Sequence, residues 1–123
     1  MLALVVDDSR TVRIIVSTIL REIGMTVIEA ADGQQALALV NENPDIELAL
    51  VDWNMPEMNG LDFIKAVRAE PAYNGLRILM VTSETEVDQV TRALNAGANE
   101  YLMKPFTREI LLAKLNLMDV LEE

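Results

Sequence analysis

The stretch Leu48-Ala49-Leu50-Val51-Asp52 decides how this chain is read. An unbroken apolar run ends at a carboxylate, and beyond the turn residues Asn59-Gly60 the apolar positions change spacing to Leu61, Ile64 and Val67. A short continuous apolar run fits a strand covered on both faces, as in a parallel sheet. Spacing by three fits the buried stripe of a helix.

The same unit recurs on either side. Leu2 to Val6, Val27 to Ala31 with Glu29 as an interruption, Ile78 to Val81 and Tyr101 to Met103 predict four more strands. Val12, Ile15, Val16, Ile19, Leu20 and Ile23 predict a first helix, with Ser9 as its N-cap and Gly24 as its stop. Ala36, Leu37 and Val40 mark a second helix, Val87, Val90 and Leu94 a fourth, and Ile110 to Leu121 a fifth. Asp32-Gly33, Asn59-Gly60, Asn74-Gly75 and Gly97 supply turns. Five alternating units predict right-handed crossovers and an α/β, doubly wound, parallel five-stranded sheet with helices on both faces. Residues 1–123 read as one domain, with nothing left over for a linker, a repeat array or an output domain.

Composition narrows the chemistry. At 51% hydrophobic the chain can bury a substantial core. It has no Cys and no His, which removes disulfides, thiolate and imidazole ligands, and imidazole acid/base catalysis. A metal would have to sit on oxygen. The first apolar run ends at Asp7 without a basic flank or cleavage site, and no stretch approaches the roughly 20 apolar residues of a membrane span. A soluble, cytoplasmic protein is expected. The net charge of −10 repels phosphate backbones and argues against nucleic-acid binding.

In a doubly wound sheet the functional crevice lies outside the carboxyl ends of the strands. The residues there are Asp7 and Asp8, then Asp52, then Thr82 and Ser83, then Lys104. Taken singly, each is as readily a cap, a turn or a solvated residue. Together they bring three carboxylates, a hydroxyl and an ammonium to one edge. Clustered carboxylates repel one another unless a cation sits among them, and with oxygen ligands alone Mg2+ is the natural candidate. Phosphoryl transfer needs mainly positioning and charge stabilisation, and a carboxylate can be the covalent nucleophile that forms an aspartyl phosphate.

Asp7-Asp8, Asp52-Trp53-Asn54-Met55-Pro56 with Gly60, Val81-Thr82-Ser83-Glu84, Gly97-Ala98, and Tyr101 followed by Lys104-Pro105-Phe106 resemble, in order and spacing, the signature of response-regulator receiver domains. The resemblance covers essentially the whole chain. It is strongest to the stand-alone chemotaxis regulators of the CheY type, through Trp53-Asn54-Met55-Pro56, Glu84 and Tyr101. It implies the flavodoxin-like (βα)5 strand order 2-1-3-4-5. It further implies that Asp52 accepts a phosphoryl group from a histidine kinase or phosphotransfer protein. Asp8, Asp52 and the backbone carbonyl of Asn54 would bind Mg2+, and Asp7 would act through a metal-bound water. Lys104, followed by a cis Pro105, and Thr82 would contact the phosphoryl group. Tyr101 would change rotamer in response, while Ser83, Asn54 and Glu84 would tune donor access and hydrolysis. Such a protein catalyses only its own phosphorylation and dephosphorylation and is not otherwise an enzyme.

A protein partner, which by resemblance is the flagellar motor switch, would read a face containing Val87, Val90, Leu94, Tyr101, Met103 and Lys114. The chain would be a monomer or a phosphorylation-linked dimer. Ile110, Leu111, Leu112, Leu115, Leu117, Met118, Val120 and Leu121 leave apolar side chains around most of the fifth helix, from fraying of its last turn or from a partner surface.

Two other classes of function fit poorly. Isolated glycines form no phosphate loop for a nucleotide or flavin carrier, and Asn54 cannot be the acid of an Asp-x-Asp phosphatase. A phosphorelay shuttle, a phosphate sink, or the receiver of a larger regulator stays open.

Overall fold

The computed structural model describes residues 1–83 and 87–120, apart from the side chain of Val87. The expectations for Glu84 and Leu121, and for the Val87 side chain, lie outside the described residues. Strands β1 (Leu2–Val6), β2 (Thr26–Ala30), β3 (Ile46–Asp52), β4 (Arg77–Ser83) and β5 (Glu100–Lys104) alternate with helices α1 (Arg10–Glu22), α2 (Gly33–Glu42), α3 (Gly60–Arg68), α4 (Val87–Ala96) and α5 (Arg108–Leu117). All strand pairs are parallel, in the order β2-β1-β3-β4-β5. This is the predicted flavodoxin-like sheet.

Two cores follow from the period-2 alternation of the strands. Leu4, Val6, Ala49, Val51, Ile78 and Met80 face one side, against Ala36 and Val40 of α2, Leu61, Phe63, Ile64 and Val67 of α3, and Ala93 of α4. Ala3, Val5, Leu48, Leu50, Leu79, Val81 and Leu102 face the other, against Val16, Ile19 and Leu20 of α1 and Leu111 and Leu115 of α5. Parallel strands covered on both faces have no position to spare for polar residues, which is why they read as unbroken apolar runs.

Caps set the ends. Ser9, Asp32, Asn59 and Thr107 each accept a backbone N–H at the start of α1, α2, α3 and α5, so two of the predicted turn pairs are helix starts. Gly24 (φ 94) and Gly97 (φ 121) end α1 and α4 in the left-handed region. In both cases the following N–H returns to a carbonyl five residues back, Leu20 and Ala93.

Three expectations need correction. Ile15 is 53% exposed, and Ser17 occupies the buried face of α1 instead. Val90 is buried, so it packs beneath α4 and does not belong to an exposed contact patch. Helix α5 ends at Leu117: Asp119 adopts φ 60 and Val120 bonds back to Leu115, which buries Met118 and Val120. The apolar surplus of α5 thus shrinks to Ile110 and Leu117 on the surface, with Leu112 half-buried.

Candidate functional site

The carboxyl ends of β1, β3, β4 and β5 converge. Asp52 ends β3 with its backbone paired to β4 at Val81, and Ser83 at the end of β4 pairs with Lys104 at the end of β5. Lys104 Nζ lies 3.2 Å from Asp52 Oδ1 and 3.3 Å from Asp7 Oδ2. Both carboxylates are nearly buried, the Asp7 side chain 5% and the Asp52 side chain 7% exposed, while Asp8 is exposed. Asp7, Asp8 and Asp52 each place a carboxylate oxygen within 4.8 Å of the others. The Lys104–Pro105 peptide is cis.

The surroundings hold these groups in place. The second oxygen of Asp7 accepts the Ser9 N–H at 2.8 Å, and Arg13 donates to the Asp7 carbonyl at 2.6 Å while pairing with Glu29. Gly60 lets the start of α3 approach the end of β3: a Cβ there would lie 2.5 Å from the Asp52 carbonyl oxygen, and the Gly60 N–H bonds the Trp53 carbonyl. Gly60→Ala is therefore expected to displace the segment carrying Asp52 and to cost about 2 kcal/mol or more. Chemical denaturation measures it.

Electrostatics set the acceptor. Burial, reinforced by the negative charge of Asp7, pushes the Asp52 carboxyl up to about 6 against the opposing pull of Lys104. Burial of Lys104 works against its charge, but Asp52 and Asp7 outweigh it and leave the ammonium above its ordinary range. One ammonium faces three carboxylates. That imbalance and an all-oxygen donor set fit a hard divalent cation.

Thr82 is buried at the end of β4, and its hydroxyl donates to Oε1 of Gln89 at 2.7 Å. Asn54 is exposed and lines a hollow with Asp8, Trp53, Met55, Pro56 and Asn59. A larger apolar hollow of about 610 Å³ lies on the other side of Lys104, lined by Val12, Ile15, Val16, Ser83, Pro105 and Phe106. Tyr101 is half-buried on β5, away from the carboxylates, with Lys114 Nζ 4.0 Å from its ring centroid and paired to Glu100 at 3.2 Å. Leu94 is exposed and Met103 half-buried.

Asp7, Asp8, Asp52 and Lys104 are thus brought together, while the Thr82 hydroxyl is turned to Gln89 and Ser83 lines the apolar hollow with Lys104. Sequence reasoning missed Gln89, Arg13 and Arg92, which stands 5.5 Å over the Trp53 ring. All three act across elements, where local spacing gives no signal.

A sequence model described as the response regulator receiver domain matches residues 3–116. The chain belongs to the response regulator receiver family. This receiver is 48% identical over 113 residues to a chemotaxis protein CheY homolog of Campylobacter jejuni, covering 91% of the receiver and 87% of the relative. It is 44% identical over 116 residues to chemotaxis protein CheY1 of Helicobacter pylori, covering 94% of each. The structure of Vibrio cholerae chemotaxis protein CheY4 superposes with a TM-score of 0.86 at 40% identity, covering 98% of both chains. The receiver is thus of the CheY type. Among its described residues no helix is long and apolar enough to cross a membrane.

Proposed function

We propose that this receiver is a phosphorylation switch of a two-component system, working in chemotaxis, with Asp52 as phosphoacceptor. The observation that carries this reading is a buried carboxylate, raised but ionised at neutral pH, beside one fixed ammonium and two further carboxylates. Asp52 attacks the phosphorus of a phosphohistidine on a histidine kinase or phosphotransfer protein. An O–P bond forms, the N–P bond breaks, and the imidazole leaves. Lys104 meets charge on the transferred group, and the Thr82 hydroxyl donates to one of its oxygens. Asp8, Asp52 and the Asn54 carbonyl would hold Mg2+, with Asp7 acting through water, and the bound ion would supply positive charge to offset the carboxylates and the transferred phosphoryl group. Exposed Ile15, which lines the apolar hollow together with Lys104, gives the donor an apolar landing near the acceptor.

A phosphoryl group adds roughly −1.5 to −2 charges and strong acceptor oxygens, which draws Thr82 and Lys104 toward Asp52. Tyr101 responds on the face formed by α4, β5 and α5, where Leu94, Met103 and Lys114 meet a protein target. The resemblance to chemotaxis regulators suggests the flagellar motor switch as that target. The protein works in the cytoplasm, catalysing only its own phosphorylation and dephosphorylation.

Trp53, the sole tryptophan, adjoins Asp52 and reports on the site. Magnesium is expected to change its fluorescence saturably and to raise the melting temperature, since a ligand of the folded state stabilises it by mass action. A small acyl phosphate added next should produce a further change that a chelator prevents. In Asp8→Ala the magnesium response should weaken at least tenfold. Equal magnesium affinity in parent and variant would refute this ligand set.

A further inference from the structure

The Thr82 hydroxyl is already in use. It is buried, it carries one proton, and that proton points to Gln89 Oε1 at 2.7 Å, in the first turn of α4. Thr82 follows Val81, the backbone partner of Asp52 on the neighbouring strand, so an oxygen attached to Asp52 would compete for the same proton. Gln89 itself is half-buried and lies seven residues along the chain on a different element, so the bond ties the end of β4 to the start of α4.

We propose that Gln89 is a positioning residue that holds Thr82 in its unphosphorylated arrangement, so that phosphorylation of Asp52 proceeds with rupture of the Thr82–Gln89 bond and release of the first turn of α4. This rests on the reading of Asp52 as phosphoacceptor. The bond is a restraint whose strength sets how readily the phosphorylated arrangement is reached. Through it α4, at the proposed partner face, senses the state of the acceptor. Reciprocity follows: whatever draws Gln89 away from Thr82 must favour phosphorylation, because one equilibrium governs both.

Beryllofluoride with magnesium, a phosphoryl mimic, tests this on the full chain, with Trp53 fluorescence as the readout. Gln89→Leu removes the acceptor at similar volume and is expected to tighten beryllofluoride binding about five- to tenfold, the range a single hydrogen bond allows. Gln89→Glu keeps an acceptor and strengthens it by charge, so binding should fall below the parent's. Both effects should disappear in a Thr82→Val background, since a bond without its donor cannot be relieved or reinforced; a merely structural role for Gln89 would survive that replacement. Unchanged affinity in both Gln89 variants, or effects of equal size with and without the Thr82 hydroxyl, would overturn the proposal. Failure of the parent to bind the mimic would instead overturn the phosphoacceptor reading, and this inference with it.

Discussion

Asp52→Asn is expected to fold, to accept no phosphoryl group, and to melt above the parent in metal-free buffer at pH 8. The loss of modification is complete because the amide is no nucleophile and no other described carboxylate combines the burial of Asp52 with its contact to Lys104, save Asp7, whose oxygens are taken up by Ser9 and Lys104. The gain in stability has a definite sign. The Asp52 carboxyl titrates at about 6 in the folded protein, against 3.8 as its ordinary value. Well below pH 3.8 the group is neutral in both folded and unfolded chains and costs nothing. As the pH rises from 3.8 to about 6 the unfolded chain gives up this proton before the folded one, and stability is lost until both are ionised. The shift corresponds to at most about 3 kcal/mol, and screening at the open side of the site reduces this to about 1–2 kcal/mol. Thermal melts in chelator at pH 4 and pH 8 should show a small gap between parent and variant at the first and the variant several degrees higher at the second. Magnesium should narrow the gap at pH 8, since the parent gains a ligand-bound state that the variant has lost.

Arg68→Ala is expected to destabilise the fold by about 3–4 kcal/mol, a large part of the stability of a domain this size. The Arg68 guanidinium donates to the carbonyls of Gly97 at 3.0 Å, Tyr73 at 2.9 Å and Leu76 at 2.6 Å, and to Asn99 Oδ1 at 3.0 Å. Asn99 Oδ1 in turn accepts the Ile78 N–H, at the start of β4. One side chain thus joins the end of α3, the loop before β4 and the turn between α4 and β5. Burial lowers the pKa of this guanidinium, and its removal orphans several backbone oxygens. Arg68→Lys should recover little, because a compact ammonium cannot reach divergent acceptors as a planar fork does. Urea unfolding with an unchanged slope would measure the loss. Because Arg68 lies away from the strand ends that carry the carboxylates, modification by a small acyl phosphate should persist below the variant's melting temperature.

The sheet could be read from the chain because its inner strands β1, β3 and β4 are buried on both faces, which turns each of them into a continuous apolar run, while the edge strands β2 and β5 are partly exposed and give the weaker runs, β2 interrupted by Glu29. The site could be read because its residues stand where the apolar runs end: Asp7, Asp52, Thr82 and Lys104 each follow the last apolar residue of a run. Helix phase was harder. Ile14, Ile15 and Val16 are consecutive, so spacing alone allows α1 to bury Ile15, whereas the structure rotates Val16, Ile19 and Leu20 onto the sheet and leaves Ile14 and Ile15 outside. The spacing of Val90 and Leu94 does not say which of them α4 turns inward; the fold buries Val90 and Ala93 and leaves Leu94 exposed. The end of α5 turned on Asp119 in the left-handed region, a conformation for which Gly is the usual sign. Arg68 and Gln89 left no trace in periodicity, since each matters through acceptors or donors on other elements.

The central claim is tested most directly by intact mass and peptide mapping of the protein after exposure to a small acyl phosphate with magnesium. An activated donor needs no kinase to position it, so the account predicts a single added phosphoryl group, carried by Asp52, absent when a chelator is present and absent in Asp52→Asn. Modification that persists in Asp52→Asn, or that forms equally well without divalent metal, would contradict it.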